Sequence, residues 1–114
     1  MADAIFHICR AEEWAAAQAN GSYAGSSQDK ADGFIHFSAR DTVVESAATH
    51  RAGQSGLVLL SVDPDKLGAA LKWEPSRSNR LFPHLYGELA VSAVISTHDL
   101  PLDGNGKHVF PAGF

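Results

Sequence analysis

The stretch DGFIHFS, residues 32–38, decides how this chain is read. Successive residues of a strand alternate faces with period two. Phe34, His36 and Ser38 therefore share one face of a strand, and Ile35 and Phe37 share the other. A strand over Gly33–Ser38 is expected, with an imidazole in its middle. The pattern recurs twice. In AIFHIC, residues 4–9, Ile5, His7 and Cys9 share a face; in FPHLYGEL, residues 82–89, His84, Tyr86 and Glu88 do so if the segment stays extended. Taken singly, a strand histidine is more often a hydrogen-bonded core or surface residue, because burying an unpartnered imidazole costs about 1–3 kcal/mol. Three of the six histidines placed this way shift that reading toward polar groups from separate strands aimed into one cleft, backed by Phe6, Ile8, Ile35 and Phe37. His50, His98 and His108, at a helix end, in a turn and in a polar tail, read as solvated.

Outward from these strands, turn and cap residues divide the chain. A strand over Ala4–Cys9 runs straight into an alanine-rich helix, RAEEWAAAQAN, which Asn20-Gly21 stops; Cys9 would be its weak N-cap with Glu12 at N3. SYAGSSQDKAD, residues 22–32, is too poor in apolar residues to pack and reads as a polar loop. Ser38, with Asp41 three residues on, looks like the cap of a second helix, ARDTVVESAATHRAG. Val43, Val44, Ala47, Ala48 and Arg51 fall on one face of it, and Gly53 ends it. SGLVLLSVD, residues 55–63, is a near-continuous apolar run, best at Leu57–Val62, as expected of a central strand covered on both faces. A turn at DPDKLG, a short strand ALKWEP that Pro75 stops, and a loop SRSNRLFP follow. HLYGELAVSAVIST reads as one long strand bent at Gly87, and the tail holds a tight turn at Asp103–Gly106 and a last edge strand. Strands outnumber helices, and both helices sit in the N-terminal half. The fold class is α+β with a largely antiparallel sheet.

Composition narrows the function classes. A chain of 114 residues makes one domain, 1–114, with a real core. Hydrophobic residues at 45% and charged residues at 19% exclude a disordered chain. A net charge of −4 without a basic stripe argues against a duplex nucleic acid as partner. Only RSNR, Arg77 to Arg80, concentrates positive charge, which suits a small phosphate-bearing ligand. The single cysteine, Cys9, allows no internal disulfide, so packing must supply the stability. No basic start with a long apolar run marks a signal peptide, and no window approaches the ~20 apolar residues of a membrane span. A cytoplasmic location is expected, with no membrane partner.

The motifs that announce common chemistries are missing: GxGxxG, a P-loop, GxSxG and CxxC. Glu74, beside Trp73 in KWEP, is expected to have a pKa raised by desolvation, which suits acid–base work; a solvated glutamate at a strand end is the alternative. In FPHLYG, Pro83 sets the direction of the chain and Gly87 permits a bend or the close approach of a ligand. A kinked strand with Tyr86 in the core is the alternative there. His7, His36 and Glu74 or Glu88 would make a two-histidine, one-carboxylate metal site. No HxH or HxxxH spacing supports it, so no metal is predicted. Cys9 as a nucleophile competes with Cys9 as a small buried hydrophobe.

IFHICRAEEW, GSYAGSSQDKADGFIHFS, LVLLSVDPDKLGAALKWEP and FPHLYGELAVSAVIS together resemble the small bacterial family catalogued as domain of unknown function 952, over Ile5 to Leu100. GFIHFS and FPHLYG are the most specific strings. The resemblance implies an ADP-ribosyltransferase-like fold: two small, mostly antiparallel sheets splayed into a cleft that grips NAD. It also implies a histidine–histidine–variable signature similar to that of the RNA 2′-phosphotransferases, with His7 first, His36 second and Glu88 in the third, strand-borne position. In such a site nicotinamide departs from ribose and leaves positive charge on the sugar, as in glycoside hydrolysis. A carboxylate, Glu74 or Glu88, would stabilise that charge. His7 and His36 would fix the ribose hydroxyls, Tyr86 or Phe37 would stack on nicotinamide, and Arg10, Arg77 and Arg80 would hold the diphosphate. Ser38 and His84 would line the site. The arginine set of the RNA phosphotransferases has no match here, so that reaction is not expected. The first expectation is a domain that binds NAD or a related nucleotide and transfers ADP-ribose. The second is a non-catalytic module that keeps the fold and binds a small ligand or a protein. A metal-dependent hydrolase is a distant third. Convergence of His7, His36 and His84 on one open cleft would favour the first; burial of each beside a backbone acceptor, on different faces, would favour the second.

Overall fold

The computed structural model describes residues 3–75, 80–112 and 114. The first strand, β1 (Ile5–Arg10), leads into helix α1 (Ala11–Asn20), then β2 (Ser22–Tyr23), α2 (Ser27–Asp32), β3 (Ile35–His36) and α3 (Val43–His50). The second half is β4 (Leu57–Val62), β5 (Leu71–Pro75), β6 (Leu81–Leu85), β7 (Leu89–Ala90) and β8 (Val94–Leu100), with 3-10 turns at Pro64–Lys66, Gly68–Ala70 and Val91–Ala93. The strands form three antiparallel sheets, ordered β1-β4-β8, β3-β6-β5 and the two-stranded β2-β7. The α+β expectation stands at this level. The expectation of two sheets and two helices is corrected to three and three.

β4 is central, and all six of its residues are buried. Its sheet is covered on both faces. Ile5, Cys9, Val58, Leu60 and Val62 pack with Trp14 and Ala17 of α1 and with Tyr23, Ile35, Phe37 and Leu85. Phe6, Leu57, Leu59 and Leu100 pack with Val43 of α3 and with Phe110 and Phe114. Each fully buried aliphatic or phenyl side chain contributes about 1.5–3 kcal/mol relative to an exposed one, so these two cores hold the sheet. The edge of β1 meets the chain just after β3, beside the β3-β6-β5 sheet, where Phe6 and Ser38 exchange two backbone hydrogen bonds of 2.8 and 2.7 Å.

Helix α1 ends as expected, on Gly21 in the left-handed conformation at φ +84°. Its N-cap is Arg10, with Glu13 at N3, because Cys9 remains buried in the strand. Residues 22–32 correct the loop expectation. Tyr23 is buried, and α2 forms although it has no apolar stripe. Its ends define it. Ser26 Oγ accepts from Asp29 N–H at 3.3 Å, Asp29 Oδ2 accepts from Ser26 N–H at 2.8 Å, and Gly33 closes the helix at φ +87°. Gly25, just before the cap, has φ +98°, and a Cβ there would stand 2.7 Å from Asp29 Cβ.

The strand expected over Gly33–Ser38 shortens to Ile35–His36, and Ser38 serves the bridge to Phe6 rather than capping a helix. Helix α3 starts at Val43 after Thr42 and ends at His50, with Arg51 rather than Gly53 at its C-cap. Val43 and Ala47 are buried in it, whereas Val44 is 50% exposed and Ala48 faces out, so its apolar face is narrower than the sequence suggests. Leu81–Pro83, expected in a loop, belong to β6. Pro83 is tolerated there because β3 has already ended opposite it, and its carbonyl still accepts from Phe37 N–H. The long strand after His84 is three pieces: β6 stops at Leu85, β7 pairs with β2, and β8 pairs with β4. Tyr86 is exposed rather than in the core, and His98 lies on β8 rather than in a turn. The last edge strand is a single bridge between Leu102 and His108.

Candidate functional site

The three strand-borne histidines come together at the seam between the β1-β4-β8 and β3-β6-β5 sheets. His7 sits on β1 one residue from the Phe6–Ser38 bridge. His36 on β3 and His84 on β6 are direct cross-strand partners, which puts their side chains on one face. Their rings are 5.7 Å apart, edge to face. All three line one cleft of about 630 Å3.

His7 is the innermost and is buried. Its Nδ1–H donates to the His36 carbonyl oxygen, and its Nε2 accepts from the Tyr23 hydroxyl at 2.8 Å. A carbonyl cannot donate, so this tautomer follows from the partner. Burial lowers the pKa of His7, against the pull of Asp29, and holds the ring neutral. Phe37 and Tyr23 pack against it at 5.5 and 5.2 Å between centroids. With both nitrogens engaged, His7 is a positioning residue for the backbone of β3. Behind it, burial and the nearby Glu13 push the Cys9 thiol up to about 12, so Cys9 stays a protonated core residue rather than a nucleophile.

His36 is oriented by α2. Asp29 Oδ1 accepts from both the His36 backbone N–H, at 3.1 Å, and its ring Nδ1–H, at 2.5 Å, while Asp32 Oδ2 lies 3.0 Å from Nε2. Carboxylates on both nitrogens favour the imidazolium. The Asp29 hydrogen bond raises the pKa of His36 more than burial lowers it. Burial alone would raise the Asp29 carboxyl, but the His36 hydrogen bond, the nearby His7 and the Ser26 and His36 N–H groups outweigh it and hold Asp29 at about 2. The side chain of His36 is 39% exposed, so the ring faces the cleft while Asp29 beneath it is buried.

His84 is held from the other side. Glu74 on β5 accepts from His84 Nδ1–H at 2.8 Å and from the Tyr86 hydroxyl at 2.7 Å, both through Oε1. Phe34 stacks on the His84 ring at 4.1 Å and 29° and also touches the rings of His36 and Tyr86. The expected rise of the Glu74 pKa is corrected: the Tyr86 and His84 hydrogen bonds lower it. Trp73 does not desolvate the carboxylate, since adjacent strand residues face opposite ways and Trp73 is 47% exposed.

Of the residues expected in the site, His7, His36, His84, Arg10 and Ser38 line the cleft. Glu74 and Tyr86 reach it through His84. Two expectations miss it. Glu88 lies in the bend between β6 and β7, on no strand, where it accepts from the Ser22 hydroxyl at 2.6 Å. Arg80 pairs with Glu45 at 2.6 Å on the surface. Arg77 lies outside the described residues. Sequence reading missed Tyr23, Asp29, Asp32, Phe34 and Arg51. The signal for Asp29 was the Ser26-x-x-Asp29 capping box, and Asp32 follows three residues later on the same helix. Arg51 lines the cleft from the end of α3, its guanidinium bonded to the Ile8 carbonyl at 3.2 Å and to Gln54 at 3.3 Å. No helix among the described residues is long and apolar enough to cross a membrane.

Known proteins place the chain. The crystal structure of protein CC0527 from Caulobacter crescentus is 48% identical, with 93% of each chain covered and a TM-score of 0.90. The solution structure of the same protein is 49% identical over 91% of this chain and 90% of that one, with a TM-score of 0.82. No curated protein matches. The family model described as "Protein of unknown function (DUF952)" matches residues 8–97, and the chain belongs to that family.

Proposed function

We propose that the cleft binds a ribose-bearing nucleotide, with NAD as the first candidate, in an ADP-ribosyltransferase-like arrangement of two sheets about a seam. The observation that carries this reading is the convergence of His7, Asp29, His36 and His84 on one open cleft, with the half-exposed ring of His36 preset by the buried Asp29. The volume, about 630 Å3, lies within the roughly 300–1,000 Å3 of small-molecule sites. The exposed Asp32 carboxylate, beside the ring of His36, supplies an acceptor for ribose hydroxyls. Arg10 and Arg51 supply positive charge for a diphosphate, in place of the Arg77–Arg80 loop. Transfer of ADP-ribose is the reaction this pose would serve.

The test is a titration with NAD, ADP-ribose and AMP, followed by thermal unfolding and by nicotinamide release. Saturation at 100 times the dissociation constant should stabilise the fold by about 2.7 kcal/mol. That raises the melting temperature by about 10 °C for a domain of this size. No shift with any of the three at millimolar concentration refutes the reading. A non-catalytic binding module is the second reading. The engaged nitrogens of His7 and the two carboxylates on His36 favour it, and a thermal shift without nicotinamide release would select it.

A further inference from the structure

We propose that His84 is the proton acceptor of the cleft: a general base, held by Glu74, that acts on a water or alcohol hydroxyl. The inference rests on reading the cleft as a ligand site and adds the class of acceptor to it. The Glu74 carboxylate can only accept, so in the neutral ring of His84 the 2.8 Å contact puts the proton on Nδ1 and the lone pair on Nε2. The Tyr86 hydroxyl donates to the same Glu74 oxygen and pins it at 2.7 Å. Phe34, stacked at 4.1 Å, fixes the plane of the ring. The ring lines the cleft, and among the described residues its one hydrogen bond is the Nδ1–H to Glu74, which leaves Nε2 for a ligand.

The other two strand-borne histidines are unsuited to the task. The Nε2 lone pair of His7 is committed to Tyr23, and both nitrogens of His36 face carboxylates. The pair thus divides the roles, with a charged imidazole on β3 and one bearing a lone pair opposite it on β6. In the step, the hydroxyl O–H bond breaks as the oxygen bonds to the anomeric carbon, and the proton moves to Nε2 of His84. The new imidazolium is balanced by Glu74. The bond from the anomeric carbon to a pyridinium nitrogen breaks, its electron pair leaves with a neutral pyridine, and His84 returns the proton to solvent. Glu74 acts only through His84 and is a positioning residue.

The test is site-resolved carbethoxylation of the intact protein with diethyl pyrocarbonate across pH, read by peptide mass spectrometry with and without NAD. His84 should react several-fold faster than His7 and His36. Glu74→Gln replaces the charged acceptor on Nδ1–H with a weaker one, makes Nε2 less nucleophilic, and should slow carbethoxylation of His84 at alkaline pH several-fold. Tyr86→Phe removes a donor from Glu74, makes the carboxylate a stronger acceptor, and should speed the reaction. Opposite effects exclude a general loss of folding as their cause. Reaction of His84 no faster than that of His7, or a rate indifferent to both substitutions, overturns the assignment. Fast, Glu74-dependent reaction that NAD fails to protect leaves His84 as the base and sinks the nucleotide reading instead.

Discussion

Gly25→Ala is a small change with a large expected effect. Gly25 has φ +98°, and a methyl group there would meet Asp29 Cβ at 2.7 Å and Asp29 Oδ2 at 3.1 Å. Two costs add. Holding an L-residue in a left-handed conformation costs about 1–2 kcal/mol. Pushing Asp29 aside breaks the reciprocal cap with Ser26, and losing such a cap costs about 0.5–2 kcal/mol. The sum, about 1.5–4 kcal/mol, lowers the melting temperature by about 6–16 °C in a domain of this size. Gly33→Ala is the control. Gly33 sits at φ +87° with nothing within 4 Å of a new Cβ, so it carries the backbone cost alone, about 4–8 °C. The second readout is local. Displacing Asp29 removes the carboxylate from His36 Nδ1, so the His36 titration followed by NMR should fall toward its ordinary value of 6.5 in Gly25→Ala and stay put in Gly33→Ala. Equal melting losses in the two variants, with His36 unmoved in both, would refute the idea that Gly25 exists to let Asp29 in.

Tyr23→Phe should cost about 1–3 kcal/mol in urea unfolding, because it strands the buried Nε2 of His7; wild-type stability in this variant would show that the hydrogen bond does not matter. The pH dependence of stability should have two opposed limbs. His36 is raised above 6.5, so its contribution is full below pH 6.5 and is lost as pH rises through the folded value. His7 is lowered, so the stability gained by keeping it neutral is full above pH 6.5 and is lost as pH falls. Asp32→Asn should bring the alkaline loss to lower pH while leaving the acid limb in place, and an alkaline limb unmoved by it would rule out the second carboxylate as a partner of His36.

Where the sequence could be read and where it could not follows from what each signal measures. The run Leu57–Val62 announced a doubly covered strand because complete burial leaves an unbroken apolar string, and Gly21 announced the end of α1 because few other residues take that backbone conformation. The period-two faces of His7, His36 and His84 were legible for the same local reason. Pairing was not. That His84 lies opposite His36, and Glu74 within reach of both His84 and Tyr86, depends on register between distant strands. Segment 22–32 failed because its buried members include Ser26 and Asp29, and an apolar-content criterion cannot see a carboxylate buried among donors. Glu74 was found for the wrong reason. Its neighbour in sequence points away, and its neighbours in space lower its pKa instead of raising it. Glu88 was placed by a strand that the chain breaks at residues 86–88.

The bridge between Phe6 and Ser38 ties the two walls of the cleft together beside its innermost residue and fixes their spacing there. Both bonds run between the edge of β1 and the chain just after β3, and each is adjacent in sequence to a residue that lines the site, His7 on one side and Phe37 on the other. The jaws cannot swing apart as rigid plates without parting both amides at once. The deuterium uptake of these two amides therefore gauges how often the jaws gape, and a guest admitted without unlocking them must already match the shape of the gap.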